Sequence, residues 1–126
     1  MFFSIDPSNG LAIYDQIVRQ VKFAVANETL KPGDLVPSVR ELARELAINP
    51  NTVARAYREL QSEGVIETLR GTGLAVTAAS KRHCTGERGK MLRERVRQVL
   101  AEAKQSQLDV EELRKIVDEE LARIVR

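Results

Sequence analysis

The chain has 126 residues, enough for one compact domain or a small domain with an appendage. It is 43% hydrophobic and 30% charged, with a net charge of +2 and one cysteine, so an internal disulfide framework is excluded. No apolar run approaches the ~18 residues of a membrane span, and "MFFSIDPSNG" lacks the basic start and apolar core of a signal peptide; a cytoplasmic protein is expected.

The charges are uneven. Residues 1–80 carry 8 Lys/Arg against 9 Asp/Glu, residues 81–97 carry 7 against 2, and residues 98–126 carry 5 against 7. The block 81–97 suits either phosphate contact or a solvated helix face. The first 80 residues have no bulk positive field, so any nucleic-acid role there rests on where a few arginines sit.

"IDPSNG" is turn chemistry. In "LAIYDQIVRQVKFAVANETL", the residues Ile13, Ile17, Val21, Ala24 and Val25 recur at helical spacing, and "KPGD" is expected to end that helix. Ser38 and Glu41 have the spacing of a capping box, opening a helix of about two turns with Leu42, Ala43 and Leu46 inward and Arg40, Arg44 and Glu45 outward. In "NPNTVARAYRELQSEG" Asn49 is the N-cap and Pro50 the first helical residue, where a missing amide costs nothing. Val53, Ala56, Tyr57 and Leu60 make a buried stripe, and Gly64 is the left-handed terminator. Two short helices separated only by Ala47 to Asn49 predict a helix-turn-helix. "VIETLRGTGLAVTA" predicts two strands around "RGTG", a wing.

Residues 78–86 read as a small, polar linker. A helix is expected from about Glu87 to Gln105, with Leu92, Val96, Val99 and Ala103 as a packing seam. After the turn "SQLD", Asp109 and Glu112 are placed to cap a last helix, with Leu108 and Leu113 as a hydrophobic staple. That helix shows Leu113, Ile116 or Val117, Glu120 or Leu121, and Ile124 at helical spacing, and Leu113, Val117, Leu121 and Ile124 are taken as its dimerisation residues. Two amphipathic helices alone bury little apolar surface, so this hairpin is expected to pack on a second copy. The fold class is therefore mainly α with a small β-hairpin wing. It divides into a winged helix-turn-helix over residues 1–77, a linker over 78–86 and a two-helix dimerisation region over 87–126.

In a helix-turn-helix the second helix enters the DNA major groove and its N-terminal residues meet base edges. Asn51, Thr52 and Arg55 occupy its first turn and a half, with Arg58 following. Asn and Arg make bidentate bonds to adenine and guanine, and Thr bonds a base or a phosphate. Arg40 opens the preceding helix, close to backbone or base. The wing tip Arg70, Gly71, Thr72 and Gly73 combines one cation with backbone amides of little bulk. For Arg55 and Arg58 the competing role is ion pairing with Glu59 or Glu63; for Tyr57 the expected role is core.

The stretch "LKPGDLVPSVRELARELAINPNTVARAYRELQSEGVIETLRGTGLAV" resembles the winged helix-turn-helix of the GntR family of bacterial transcriptional regulators. The resemblance covers about residues 5–77 through "PSVRELA", "NTVARAYREL", "EGVIE" and "GTG". The short C-terminal helix pair is similar to the YtrA-like subgroup, whose members are small homodimers. The resemblance implies that Arg40 contacts DNA, that Asn51 and Thr52 open the recognition helix, and that Gly71 and Gly73 approach DNA. Two departures stand out. Pro50 occupies a position where many relatives carry a base-reading arginine, and the wing ends in "GLAV" where a threonine and a phenylalanine are common.

These readings lead to a homodimeric, sequence-specific repressor of an inverted-repeat operator in double-stranded DNA. The rival is a non-catalytic protein-interaction module built on the winged helix and the C-terminal hairpin. No enzyme constellation, cofactor or metal site is expected: His83 and Cys84 are adjacent, without a second pair at ligand spacing. The effector, if a small molecule, is unspecified, and about 40 residues after the linker leave little room for an enclosed metabolite pocket.

Overall fold

The computed structural model describes residues 3–125. Its elements are α1 (Ile13–Ala26), β1 (Leu35–Val36), α2 (Val39–Leu46), α3 (Pro50–Ser62), β2 (Ile66–Leu69), β3 (Gly73–Val76), α4 (Ser80–Gln105) and α5 (Val110–Val125). The chain forms two compact units that divide between Gly89 and Lys90, so α4 begins in the first and continues into the second.

The first unit closes around α1, α2 and α3. Ile17 and Val21 of α1, Leu42 of α2, and Val53, Ala56 and Leu60 of α3 are completely or almost completely buried. Each of these helices ends because of a local backbone event. After α1, Asn27 accepts from the Thr29 amide and hydroxyl while Glu28 takes a positive φ of 67°. The helix thus stops before "KPGD", which instead turns the chain into β1: the Lys31 amide donates to the Asp34 carboxylate at 2.8 Å. After α3, Gly64 has a φ of 75°, its amide donates to Gln61 O, and the Val65 amide donates to Leu60 O at 2.9 Å. These two bonds form a Schellman motif and satisfy the last carbonyls of the helix.

The sheet has the order β1-β3-β2, all antiparallel. The hairpin expected around "RGTG" is present, with Ile66 opposite Val76 and Leu69 opposite Gly73. The two-residue β1 pairs with the far edge of β3, Leu35 opposite Ala75, and was not expected from sequence. Two residues carry no periodicity, so only the partner strand makes them a strand. The wing is fastened to α1's exit by this pairing and by the Gly33 amide donating to Val76 O.

The linker expected at 78–86 is corrected: from Ser80 onward it is helical. Small polar composition concealed a packing stripe. Ser80 and Cys84, four residues apart, are both buried, and the Ser80 hydroxyl donates to Thr77 O at 2.8 Å. Lys81 also pairs with Glu28 at 2.6 Å. Burial pushes the Cys84 thiol up to about 11, which makes it an inert core side chain.

The second unit holds the rest of α4 and α5. The Asp109 carboxylate caps α5 by accepting from the Glu111 amide at 3.1 Å; no reciprocal bond from Glu112 is formed among the described residues. Leu108 and Leu113 are half-buried. No residue of α5 is buried.

Candidate nucleic-acid interface

The geometry of this surface begins with how α2 and α3 are held. The capping box at α2 is complete: the Glu41 amide donates to Ser38 Oγ at 3.1 Å and the Ser38 amide donates to Glu41 Oε1 at 3.2 Å. At α3 the Asn51 amide donates to Asn49 Oδ1 at 2.8 Å, and Pro50 is the first helical residue. The turn between them rests on Ala47, which adopts a left-handed φ of 55°, with the Ile48 amide donating to Ala43 O at 3.0 Å. An alanine in that region carries a penalty of about 1–2 kcal/mol. The tight crossing of the two helices outweighs it, because Leu42 and Val53 are both wholly buried.

Tyr57 completes the clamp. Its ring belongs to the core, as expected, and its hydroxyl donates to Pro37 O at 2.7 Å. That bond fixes the backbone immediately ahead of the Ser38 cap to the middle of α3. Burial, with added repulsion from Glu41 and Glu45, pushes the phenol well above its ordinary range, so it remains a donor.

With Val53, Ala56, Tyr57 and Leu60 turned inward, Asn51, Arg55 and Arg58 recur at i, i+4 and i+7 on the opposite side. All three are exposed, while Thr52 is half-buried beside them. Arg40 is exposed in the first turn of α2. Arg70, Gly71, Thr72 and Gly73 are exposed at the wing tip, where the Thr72 amide closes the turn on Leu69 O at 2.9 Å. Gly71 has a φ of 77° and Gly73 one of 132°, conformations that side chains resist. Thr72 and Gly73 line one surface depression of about 470 Å³ together with Ser38 and Val39. The wing tip and the start of α2 therefore border the same surface.

The ion pairs considered for Arg55 and Arg58 do not form. Glu63 is held by Lys22 at 2.7 Å and His83 at 3.0 Å. Among the described residues, Arg40, Arg58 and Arg70 enter no salt bridge. Arg55 instead lies over the ring of Tyr14, its guanidinium carbon 3.7 Å from the centroid. Tyr14 is the functional candidate that sequence reasoning missed. Its signal was a half-polar aromatic in the first turn of α1, but nothing in the sequence pairs residue 14 with residue 55. Stacking costs the guanidinium none of its hydrogen-bond donors, so Arg55 is pre-oriented and still able to donate.

A capped helix-turn-helix followed by an antiparallel wing, with a polar stripe on its second helix, defines the winged helix-turn-helix class. The sequence pattern of the gntR family of bacterial regulatory proteins matches residues 13–76, and the chain belongs to that family. It is 40% identical over 115 residues to the HTH-type transcriptional repressor YtrA of Bacillus subtilis (strain 168), an overlap covering 91% of this chain and 88% of the relative. Among solved structures it is similar to a transcriptional regulator from Oenococcus oeni, with 36% identity, a TM-score of 0.62, and coverage of 95% of this chain and 99% of that one. It is also similar to YtrA from Sulfolobus acidocaldarius, a GntR-family transcription factor, with 27% identity, a TM-score of 0.58, and coverage of 98% and 100%. Both structural likenesses extend beyond the family domain into the C-terminal helices.

Proposed function

We propose that this chain is a cytoplasmic, non-catalytic transcriptional repressor that binds an inverted-repeat operator as a homodimer. The observation that carries this reading is the outward stripe of Asn51, Arg55 and Arg58 on a recognition helix held by two caps and the Tyr57 bond. Arg40, Asn51, Thr52 and Arg55 read base edges in the major groove. Arg58 and the wing tip, Arg70 to Gly73, engage the backbone, where the two glycines permit close approach. Pro50 offers no base contact, so the reading falls on its neighbours.

The C-terminal helices supply the two-fold partner surface. Leu92, Val96, Val99, Leu121 and Ile124 are all exposed in the single chain, and Ala103, Leu113 and Val117 lie on the same two helices. A surface this apolar needs a cover, and a two-fold axis matches the symmetry of an inverted repeat with half-sites about one helical turn apart, or a multiple of that.

Selection of bound duplexes from a random library tests the reading. The expected product is an inverted repeat whose affinity falls steeply with salt. On that duplex, Arg40→Ala weakens specific binding by roughly 1–3 kcal/mol and relaxes preference at one base position. No duplex binding at low salt would transfer support to the protein-interaction module. Unchanged base preference in the variant would remove Arg40 from the reading set.

A further inference from the structure

We propose that Glu63, His83 and Glu87 form a binding site for a divalent transition-metal ion, fastening the end of α3 to the first turns of α4. Glu63 is the residue that closes α3, and His83 and Glu87 stand four residues apart on one side of α4. Among the described residues this is the one group of three potential ligands with donor atoms together, all within 4.8 Å of one another. The three lie in the same compact unit. Sequence alone does not join them, because Glu63 is 20 residues from His83.

The distances suit a shared ion. Two donors each bonded at about 2.1 Å stand roughly 3.0 Å apart at a right angle and roughly 3.4 Å apart at a tetrahedral angle. His83 Nε2 lies 3.0 Å from Glu63 Oε1 and 3.9 Å from Glu87 Oε1. One edge of the polyhedron is already at ligand spacing, and a modest rotamer adjustment of Glu87 closes another. One imidazole and two carboxylates form a borderline donor set of the kind that takes zinc, cobalt or nickel, with positions left for water. His83 is 40% exposed and gives the ion a route in from solvent.

Lys22 is the competing feature. Its ammonium, 5% exposed, is 2.7 Å from Glu63 Oε1 and 3.8 Å from Glu87 Oε1. It therefore approaches both carboxylates from the buried side. The two carboxylates exceed this one ammonium by one charge. An ionised carboxylate has about four lone-pair positions, so donation from Lys22 leaves others for a metal on the exposed side. A fixed donor behind a ligating carboxylate, as Lys22 is behind Glu63, holds its orientation. Cys84 is wholly buried between the two α4 ligands in sequence and faces the core, so it is not part of the set.

The test uses the full chain, stripped of metal with chelator and titrated with zinc chloride or cobalt chloride by calorimetry. One saturable site per chain is expected, with a dissociation constant on the order of micromolar. Cobalt should give visible absorption bands, and saturating zinc should raise the melting temperature by about 5 °C through preferential binding to the folded state. His83→Asn and Glu87→Gln should each weaken binding at least about tenfold, while Cys84→Ser leaves it unchanged. His83 is at the surface, so its variant keeps the fold, which circular dichroism checks. Absence of saturable uptake up to about 1 mM would leave Lys22 as the cation of this cluster and overturn the proposal. Uptake that His83→Asn does not change would place the metal elsewhere and overturn it equally.

Discussion

The two compact units solve the same problem of apolar surface in opposite ways. In the first, up to Gly89, helices and wing enclose their own core, and the interior amide of Gln16 is bonded at both ends. Gln16, nearly fully buried, donates to Asp6 O and Leu11 O and accepts from the Asp6 amide. In the second, no residue of α5 is fully buried, and Val110, Ile116, Leu121, Ile124 and Val125 are open on its surface. One unit carries its stability within a single chain. The other, on the proposed reading, is half of a core that a second copy completes. On that reading the recognition helix is held within one chain, while assembly sets where a second recognition helix lies.

Paired substitutions break this contrast most sharply. Leu60→Ala removes a fully buried side chain from the first unit and should cost about 3 kcal/mol. Its urea midpoint should not depend on protein concentration. Leu121→Lys should leave that transition within about 0.5 kcal/mol and convert a dimer to a monomer in sedimentation velocity. A dimer that survives Leu121→Lys, or a concentration-dependent Leu60→Ala midpoint, would erase the distinction between the units.

Tyr57→Phe sharpens the picture of the first unit. It keeps the ring and leaves Pro37 O without its donor, so a loss of about 1 kcal/mol is expected in denaturant unfolding. Equal stability would show that the clamp between α3 and the entry to α2 is dispensable.

Tyr14→Leu addresses the interface rather than the core. Loss of the stack should weaken operator binding by roughly 0.5–1 kcal/mol. In an Arg55→Ala background the same change should do almost nothing, which a double-mutant cycle measures. Additive effects would mean that Tyr14 acts on DNA without Arg55.

The smallest effect is expected at the helix-turn-helix corner. Ala47→Gly relieves the left-handed backbone while loosening the unfolded chain, for a net gain of roughly 0.5 kcal/mol in the urea midpoint. A loss would assign the Ala47 methyl a packing role that its exposure does not suggest.

Much of this was legible because it is local. The Ser38–Glu41 box, the Asn49–Pro50 start, the α3 stripe and the Gly64 stop each depend on residues within a few positions of one another, and each appears as its spacing indicates. The linker reading failed for the complementary reason. Residues 80–86 look polar and small, and only the core that receives Ser80 and Cys84 makes them helix. The polar face of α3 was likewise readable, but the partner of Arg55 was not, since Tyr14 lies on another helix.

The sequence by itself determined α2 and α3, their N-terminal caps, the wing hairpin and the set of side chains α3 leaves facing out, because periodicity and capping act over one or two turns. Only the tertiary structure decided that β1 joins the wing, that Tyr57 reaches Pro37, and that Tyr14 carries Arg55. It alone also gathers Glu63, His83 and Glu87 around the buried Lys22. Each of these joins residues distant in sequence, and such pairs meet only when the hydrophobic core has fixed one element against another.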